Sequence, residues 1–387
     1  MYIMGNAEVE AVRRVIMSGR LFRYTGKESE TLLFEKEWAK LIGAPHALAV
    51  TSGTAALICG LVGMGVGPGD EVVVPGYTFM ASALAPLAVG AVPIIAEIDE
   101  SMTLDPKDVE RKISRRTKAI MPVHMCGLPA DMGAIMRVAR RHDLKVLEDA
   151  CQADGGSYRG RRLGSIGHAG AFSFNFFKIV VCGEGGALTT SDRNIYERAM
   201  IYHDGGCIFR GHKGLRQAIF AGCNFRMNDI LSAVLRVQMR RLGNVLAALR
   251  REKRLLMREM AGEKGFSFNP RNDPKGDCGT TLGLFFETRE RAGEFVASMK
   301  ESGFRSWSPI NSDKHVYVNW EPVMRRRGAH HPALDAFRLS GAKIRYSPDM
   351  CPKTLDILGR TVYLDMKLRR PKGELRKLIA AVKLAAR

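Results

Sequence analysis

The residues best suited to chemistry fall in four short segments. LEDACQADGG (147–156) places Asp149 at the end of an apolar run. That is the usual position for a functional carboxylate in an open sheet, although a cap on the following turn uses the same residue type. AFSFNFFKIVVCGEGGALTT (171–190) sets Lys178 between two strongly apolar, strand-like pieces, ahead of a Gly-Glu-Gly-Gly turn. Desolvation there would lower the pKa of the amine and suit it to Schiff-base chemistry; a surface lysine with a buried stem is the other reading. TSGTAAL (51–57) is a small-residue turn opening a helix. Such a turn turns backbone N–H groups and a positive dipole end towards an anion, or serves as an ordinary N-cap. GCNFRMND (222–229) heads a long amphipathic stretch.

These segments need a frame that brings them together, and the chain supplies its pattern. Short apolar runs HALAV (46–50), EVVVP (71–75), AVPIIAEI (91–98), KAIMPVH (118–124) and LKVLED (144–149) alternate with helix-like stretches. The helical ones are Ala55–Met64, Pro106–Ile113 and Asp131–His142. Strands at that spacing predict an α/β fold, a mostly parallel sheet covered on both faces, with ligands at the carboxyl ends of the strands. From Asn228 to about Gly262 apolar residues recur at helical spacing beside a dense basic face that includes Arg236, Arg240, Arg241, Arg250, Arg251, Lys253 and Arg254. A helix of that length predicts a bridge between domains. Beyond it, GTTLGLFFE reads as a strand, RERAGEFVASMKESG as a helix, and a terminal helix spans about Lys372–Ala386. The expected division is a large domain over 1–245 and a smaller C-terminal α+β domain over 246–387, entered through the long helix at about 228–262.

Composition excludes several classes. In 387 residues, 46% hydrophobic and 26% charged, the chain can bury a sizeable core, so disorder, collagen and coiled coil are out. Forty glycines suit many tight strand-to-helix turns. Eight cysteines lack any CxxC pair, which points to free buried thiols and to no zinc site. A net charge of +19 implies anionic partners, but the basic residues are spread along the chain without a nucleic-acid-binding pattern. Gly76–Ala96 carries no charge, yet Pro86, Pro93 and a Gly-Ala-Val-Pro break argue against a membrane span. No basic-then-apolar leader opens the chain, so a soluble, cytoplasmic protein is expected, with no membrane and no nucleic-acid partner.

In order and spacing the four segments, together with GDEVVVPGYTFMAS (69–82) and PVHMCGLPADM (122–132), resemble the DegT/StrS-type sugar aminotransferases. These are pyridoxal-phosphate enzymes of fold type I. The resemblance implies a mostly parallel seven-stranded sheet flanked by helices, with the smaller C-terminal domain. It makes Lys178 the lysine that carries the cofactor as a Schiff base, and Asp149 the acid at the pyridinium nitrogen. Gln152 falls beside the phenolic oxygen, Phe79 stacks on the ring, and Gly53, Thr54 and Ser173 form the phosphate cradle. Asn224 reaches the phosphate of the neighbouring subunit, which implies a homodimer with shared sites.

The same resemblance implies an amino-acid donor, glutamate or glutamine, that converts the cofactor to pyridoxamine phosphate, and a keto-sugar acceptor in amino-sugar biosynthesis. HMCG (124–127), LEDACQA (147–153) and CGEGGA (182–187) look most like the branch that aminates an 8-oxo octulosonate. Nucleotide-linked keto-deoxysugars and keto-cyclitols stay open. Phe176 and Phe177 stand where the family has small or turn-forming residues, and HDGG (203–206) where a shorter His-Gly motif is common. A related subgroup replaces the lysine with histidine and dehydrates sugars; Lys178 weighs against that chemistry. Joint retention of Lys178, Asp149 and the cradle weighs against a regulator that binds cofactor without turnover. Leu21–Tyr24 and Ser308–Trp320 are expected to supply acceptor-lining residues.

Overall fold

The computed structural model describes residues 2–25, 28–207, 209, 214–329, 331–341 and 344–387. Its main sheet is built from β1 (His46–Val50), β2 (Glu71–Pro75), β3 (Val92–Ala96), β4 (Thr117–Ile120) and β5 (Lys145–Asp149). After a small hairpin of β6 (Ser157–Tyr158) and β7 (Arg161–Arg162), it is completed by β8 (Ala169–Ser173) and β9 (Gly186–Thr190). The order β1-β9-β8-β5-β4-β2-β3 is parallel except at β9, which runs against both β1 and β8. Every residue of β2, β8 and β9 is buried. Runs that are apolar throughout, rather than alternating, are what a sheet covered on both faces requires.

The covering helices are α1 (Asn6–Ser18), α2 (Glu30–Ile42), α3 (Gly53–Gly63), α4 (Ala81–Ala88), α5 (Pro106–Lys112), α6 (Met132–Arg141), α7 (Arg193–His203) and α8 (Asp229–Glu259). Helix α3, GTAALICGLVG, has no polar stripe because it lies between the sheet and α4 and α7. Gly60 permits its close approach, since a Cβ there would stand 2.8 Å from Leu147 Cδ1. Helix α8 starts where Asn228 Oδ1 accepts from Leu231 N at 3.0 Å, and α1 and α2 lie along it. Asp229 ties its head to α2 by accepting from the N–H of Glu30 and Thr31 and from the Thr31 hydroxyl.

Beyond α8 a second, antiparallel sheet takes the order β10 (Phe266–Phe268), β11 (Thr281–Phe286), β12 (Thr361–Asp365). It is covered by α9 (Arg289–Glu301) and the terminal helix Glu374–Ala385. The architecture is the expected one: a mostly parallel seven-stranded sheet among helices, with a small C-terminal sheet.

Two expectations are corrected, and a third, against a membrane span, holds. Ile179–Cys182 is no strand; it is a buried loop whose Cys182 N–H returns to Phe174 O. The cysteines are free, but only Cys59, Cys182, Cys207, Cys278 and Cys351 are buried; Cys126 and Cys151 are half-buried and Cys223 exposed. Residues 76–96 form α4 and β3 rather than one span, and among the described residues no helix is long and apolar enough to cross a membrane.

Candidate active site

Strand alternation sends Glu148 and Asp149 to opposite faces of β5. Glu148, fully buried, accepts from Gly164, Ile166 and Gly167 N–H and faces His124 Nε2 at 3.0 Å. Because His124 Nδ1 accepts from Ala130 N, its Nε2 carries the proton and donates to Glu148. This brace locks β5 from below. Asp149, 4% exposed, caps the other side: Ser82 Oγ donates to its Oδ2 at 2.7 Å and Cys151 N to its Oδ1 at 3.1 Å. Ser82 is itself held by Thr78 Oγ1 at 2.7 Å. Burial, and after it the Asp149 charge, push the Cys151 thiol well up, so the sulfur stays protonated.

Beside Asp149 lies the N-terminus of α3. Ser52 caps it, accepting from Ala55 N at 3.1 Å. The N–H groups of Gly53 and Thr54 find no acceptor among the described residues. Gly53 must lack a side chain, since a Cβ would stand 2.7 Å from Ser173 Cβ and 2.8 Å from Cys151 Sγ. Gly186 is equally constrained, with Ser52 O at 2.3 Å from its would-be Cβ. Strands β8 and β9 are thereby packed directly on the helix head. Two open N–H groups, a positive dipole end and the adjoining Ser173 hydroxyl fit a phosphate dianion.

Lys178 stands on the loop between β8 and β9. The loop is a tight excursion: Phe176 N bonds Gly183 O, Phe174 N bonds Gly185 O, and Lys178 N closes a turn on Asn175 O at 2.9 Å. Asn175 Oδ1 accepts from Phe177 N and its amide donates to Glu184. The lysine is half-buried, with Phe177 exposed on one side and Ile179 buried on the other. Its charge reaches Cys151, Asp154 and His315, which places it among the same groups as Asp149.

Phe79 follows β2 and keeps 41% of its surface exposed, a flat apolar face of the kind a delocalised ring stacks on. Gln152 is oriented by Cys126, whose N–H donates to Gln152 Oε1 at 3.0 Å, leaving the amide NH2 as the free end. Cys126 adopts φ +53° to make that bond. Asn224 is exposed; its backbone pairs with Asp204, and its Oδ1 accepts from Arg226 N at 3.2 Å. Asp204, the second residue of HDGG, also receives Arg226 Nη1 at 2.8 Å and Tyr24 OH at 3.0 Å, so that motif anchors the Asn224 loop. The structure thus gathers Gly53, Thr54, Phe79, Asp149, Gln152, Ser173 and Lys178 at the strand ends and leaves Asn224 on the surface.

Sequence reasoning singled out none of three neighbours, although His315 lies within the expected lining segment Ser308–Trp320. Ser82 sits on the TFMAS stretch, three residues past Phe79 at the head of α4, and its spacing could have been read. His315 is brought by the C-terminal region. Its segment is stitched to the loop after β2 by Thr78 N to His315 O and Met80 N to Lys314 O, and its ring lies 5.8 Å from that of Phe79. Burial, then Lys178 and Lys314, hold its imidazole down at about 4. No local pattern announces that contact. Asp154 is the third. Arg23, within the expected lining segment Leu21–Tyr24, is instead fully buried, bonding Glu35 and Ala49 O.

The family model for the DegT/DnrJ/EryC1/StrS aminotransferases matches residues 3–309. The L-glutamine:2-deoxy-scyllo-inosose aminotransferase of Streptomyces lividus is 32% identical over 353 residues, 84% of this chain and 81% of that one. The dTDP-3-amino-3,4,6-trideoxy-α-D-glucose transaminase of Streptomyces venezuelae is 43% identical over 234 residues, 60% and 59% of the two chains. Among solved structures, that of 3-amino-5-hydroxybenzoic acid synthase superposes with a TM-score of 0.81 at 30% identity, covering 100% of this chain and 97% of that one. With a model match over most of its length and a fold and strand-end site of the matching kind, the chain belongs to the DegT/DnrJ/EryC1/StrS aminotransferase family.

Proposed function

We propose that this protein moves an amino group from glutamate or glutamine to the carbonyl carbon of a keto-sugar or close relative, with pyridoxal phosphate as its cofactor. The observation that carries the reading is the meeting of a buried carboxylate, a lysine on the adjoining loop and an open helix N-terminus at the strand ends. Pyridoxal phosphate supplies an electron-withdrawing ring that disperses the charge left when a proton is removed from the amino-bearing carbon. Gly53, Thr54 and Ser173 would hold its phosphate, and Phe79 one face of its ring. Asp149, oriented by Ser82 and Cys151 N–H, would keep the ring nitrogen protonated, and the Gln152 amide would donate to the phenolic oxygen. Lys178 would first carry the cofactor and then, as a free amine, take and return the proton at the reacting carbon.

The acceptor we favour is anionic, an 8-oxo octulosonate or a nucleotide-linked keto-deoxysugar before a neutral keto-cyclitol. The +19 charge and the exposed Lys314 beside His315 support that preference. We also propose two domains, 1–245 and 246–387, and a homodimer in which Asn224 completes the partner's phosphate site; its exposure supports this. The test is spectroscopic. Pyridoxal phosphate added to the purified protein should give a visible band that bleaches with glutamate or glutamine and is missing in Lys178→Ala. A band indifferent to every amino acid would sink the transaminase reading.

A further inference from the structure

Gln152 can serve a cofactor only if the right end of its amide faces the site. Its Oε1 accepts from Cys126 N at 3.0 Å, so its NH2 is the end left to donate. Reversed, the same side chain would set a carbonyl oxygen against the phenolic oxygen, and two acceptors repel. The choice therefore depends on where the Cys126 N–H points. Cys126 lies in the turn Met125–Gly127 with φ +53° and ψ +28°, a left-handed conformation uncommon for a residue with a side chain, and Gly127 follows at φ +75°. Such a conformation persists only where the surroundings fix it.

The contact that fixes its backbone comes from 154 positions along the chain. Thr280, 4% exposed at the entry to β11, donates its hydroxyl to Cys126 O at 2.5 Å. The N–H and the C=O of Cys126 belong to the peptide planes on either side of the left-handed Cα, so holding one plane restrains the other. Tyr77 OH, 4.0 Å from Cys126 Sγ, bears on the side chain and not on the backbone. Cys278 N adds a bond to Gly127 O at 3.0 Å, and a Cβ on Gly127 would stand 2.7 Å from Cys278 Cβ and 3.0 Å from Thr280 Oγ1. Thr280 is itself placed: its C=O accepts from Met366 N at 2.9 Å. Just before it, the buried Asp277 pairs with Lys253 of α8 at 2.5 Å and accepts from Gly279 N at 2.7 Å. A continuous set of bonds thus runs from α8 through Asp277, Thr280 and Cys126 to Gln152.

We propose that Thr280 is a positioning residue for Gln152: by holding the Cys126 carbonyl it keeps the Cys126 N–H on Oε1, and so turns the amide NH2 towards the cofactor's phenolic oxygen. Thr280 acts through Cys126 and not on the cofactor itself. Without the hydroxyl, Cys126 is free to leave the left-handed region, its N–H swings off Oε1, and the amide loses its sense. The proposal rests on the reading of Gln152 as the residue beside the phenolic oxygen.

Two measurements decide it, and neither needs turnover. Thr280→Val removes the donor while keeping the shape, and Thr280→Ser keeps the donor. In cofactor-free protein, hydrogen exchange of residues 124–128, read by peptide mass, should be about fivefold faster or more in Thr280→Val and unchanged in Thr280→Ser. Pyridoxal phosphate titrated into the same proteins, followed by its visible band, should bind Thr280→Val about fivefold more weakly, the size of one lost hydrogen bond, and Thr280→Ser as it binds the wild type. Thr280→Ala, which shares only the missing hydroxyl, should repeat the Thr280→Val results in a protein whose melting shows it folded. In a Gln152→Ala background the loss from Thr280→Val should vanish, because nothing is left to position. Unchanged exchange or unchanged affinity in Thr280→Val, or a loss that persists in full without Gln152, overturns the proposal. A wild type with no visible band counts against the functional reading and takes this proposal with it; with that band present, a failure belongs to Thr280 alone.

Discussion

Asp149 and Asp154 are five residues apart and face opposite demands. Asp149 receives two hydrogen-bond donors; Asp154, fully buried, receives one hydrogen bond and keeps one orphaned oxygen, and its burial favours the protonated acid. Replacing Asp149 by Asn should leave pyridoxal phosphate bound, because the phosphate donors lie on α3, yet lower kcat about a thousandfold, on the order of 4 kcal/mol. Steady-state rates beside cofactor absorbance check both halves, and a near-native rate would reduce Asp149 to a structural cap. For Asp154 the sign of the linkage runs the other way from an ordinary carboxylate. Its folded value of about 8 lies above its unfolded value, so its contribution to stability is full in acid and is lost as pH rises towards 8. Asp154→Asn should therefore gain on the wild type in thermal melts between about pH 4 and pH 8, with the gap widening as pH rises. A gap that is constant with pH would show that the acid is not protonated in the folded protein.

Strand β5 works because its two faces are secured independently. Glu148 satisfies three backbone N–H groups and His124 on one side, while Asp149 takes the other. Glu148→Ala would strand those four donors, two of them fully buried, and should destabilise the fold by about 3–5 kcal/mol, read by denaturant unfolding. Loss below about 1 kcal/mol would mean that water replaces the carboxylate. Helix α3 offers the complementary test. Gly53→Ala brings a methyl to 2.7 Å from Ser173 Cβ, so the helix head must shift, and affinity for pyridoxal phosphate should fall by about tenfold or more. Equal affinity would remove the α3 head from the cradle.

At the scale of the molecule, the lysine loop exposes Phe176 (58%) and Phe177 (76%), and Asn224 is exposed on a loop anchored by Asp204 and Arg226. A two-fold dimer that covers both would create two equivalent sites, each built from two chains. Mixing Lys178→Ala with Asn224→Ala should, after subunit exchange, return part of the activity, because one site of each mixed dimer carries neither lesion. If exchange is demonstrated, no activity returns and Asn224→Ala alone is impaired, then Asn224 serves its own chain.

Runs such as EVVVP and LKVLED determined the parallel sheet, because a strand buried on both faces must be apolar throughout, and the break at Gly90–Pro93 already separated α4 from β3. Asp149, Lys178 and the SGT turn stood out because each follows a strand, where an α/β sheet keeps its ligands. The rest depended on contacts between distant segments. IVVC reads as a strand by composition, but its backbone bonds back across its own loop. His315 reaches Phe79 only because residues 314–317 pair with the loop after β2, more than two hundred positions earlier in the chain. Asp154 reads as one more turn residue in LEDACQADGG; its burial, its clamp on Val180 and its proton come from the packing of two loops against each other. Periodicity records which face of an element is buried, not which other element will cover it, and that choice belongs to the tertiary structure.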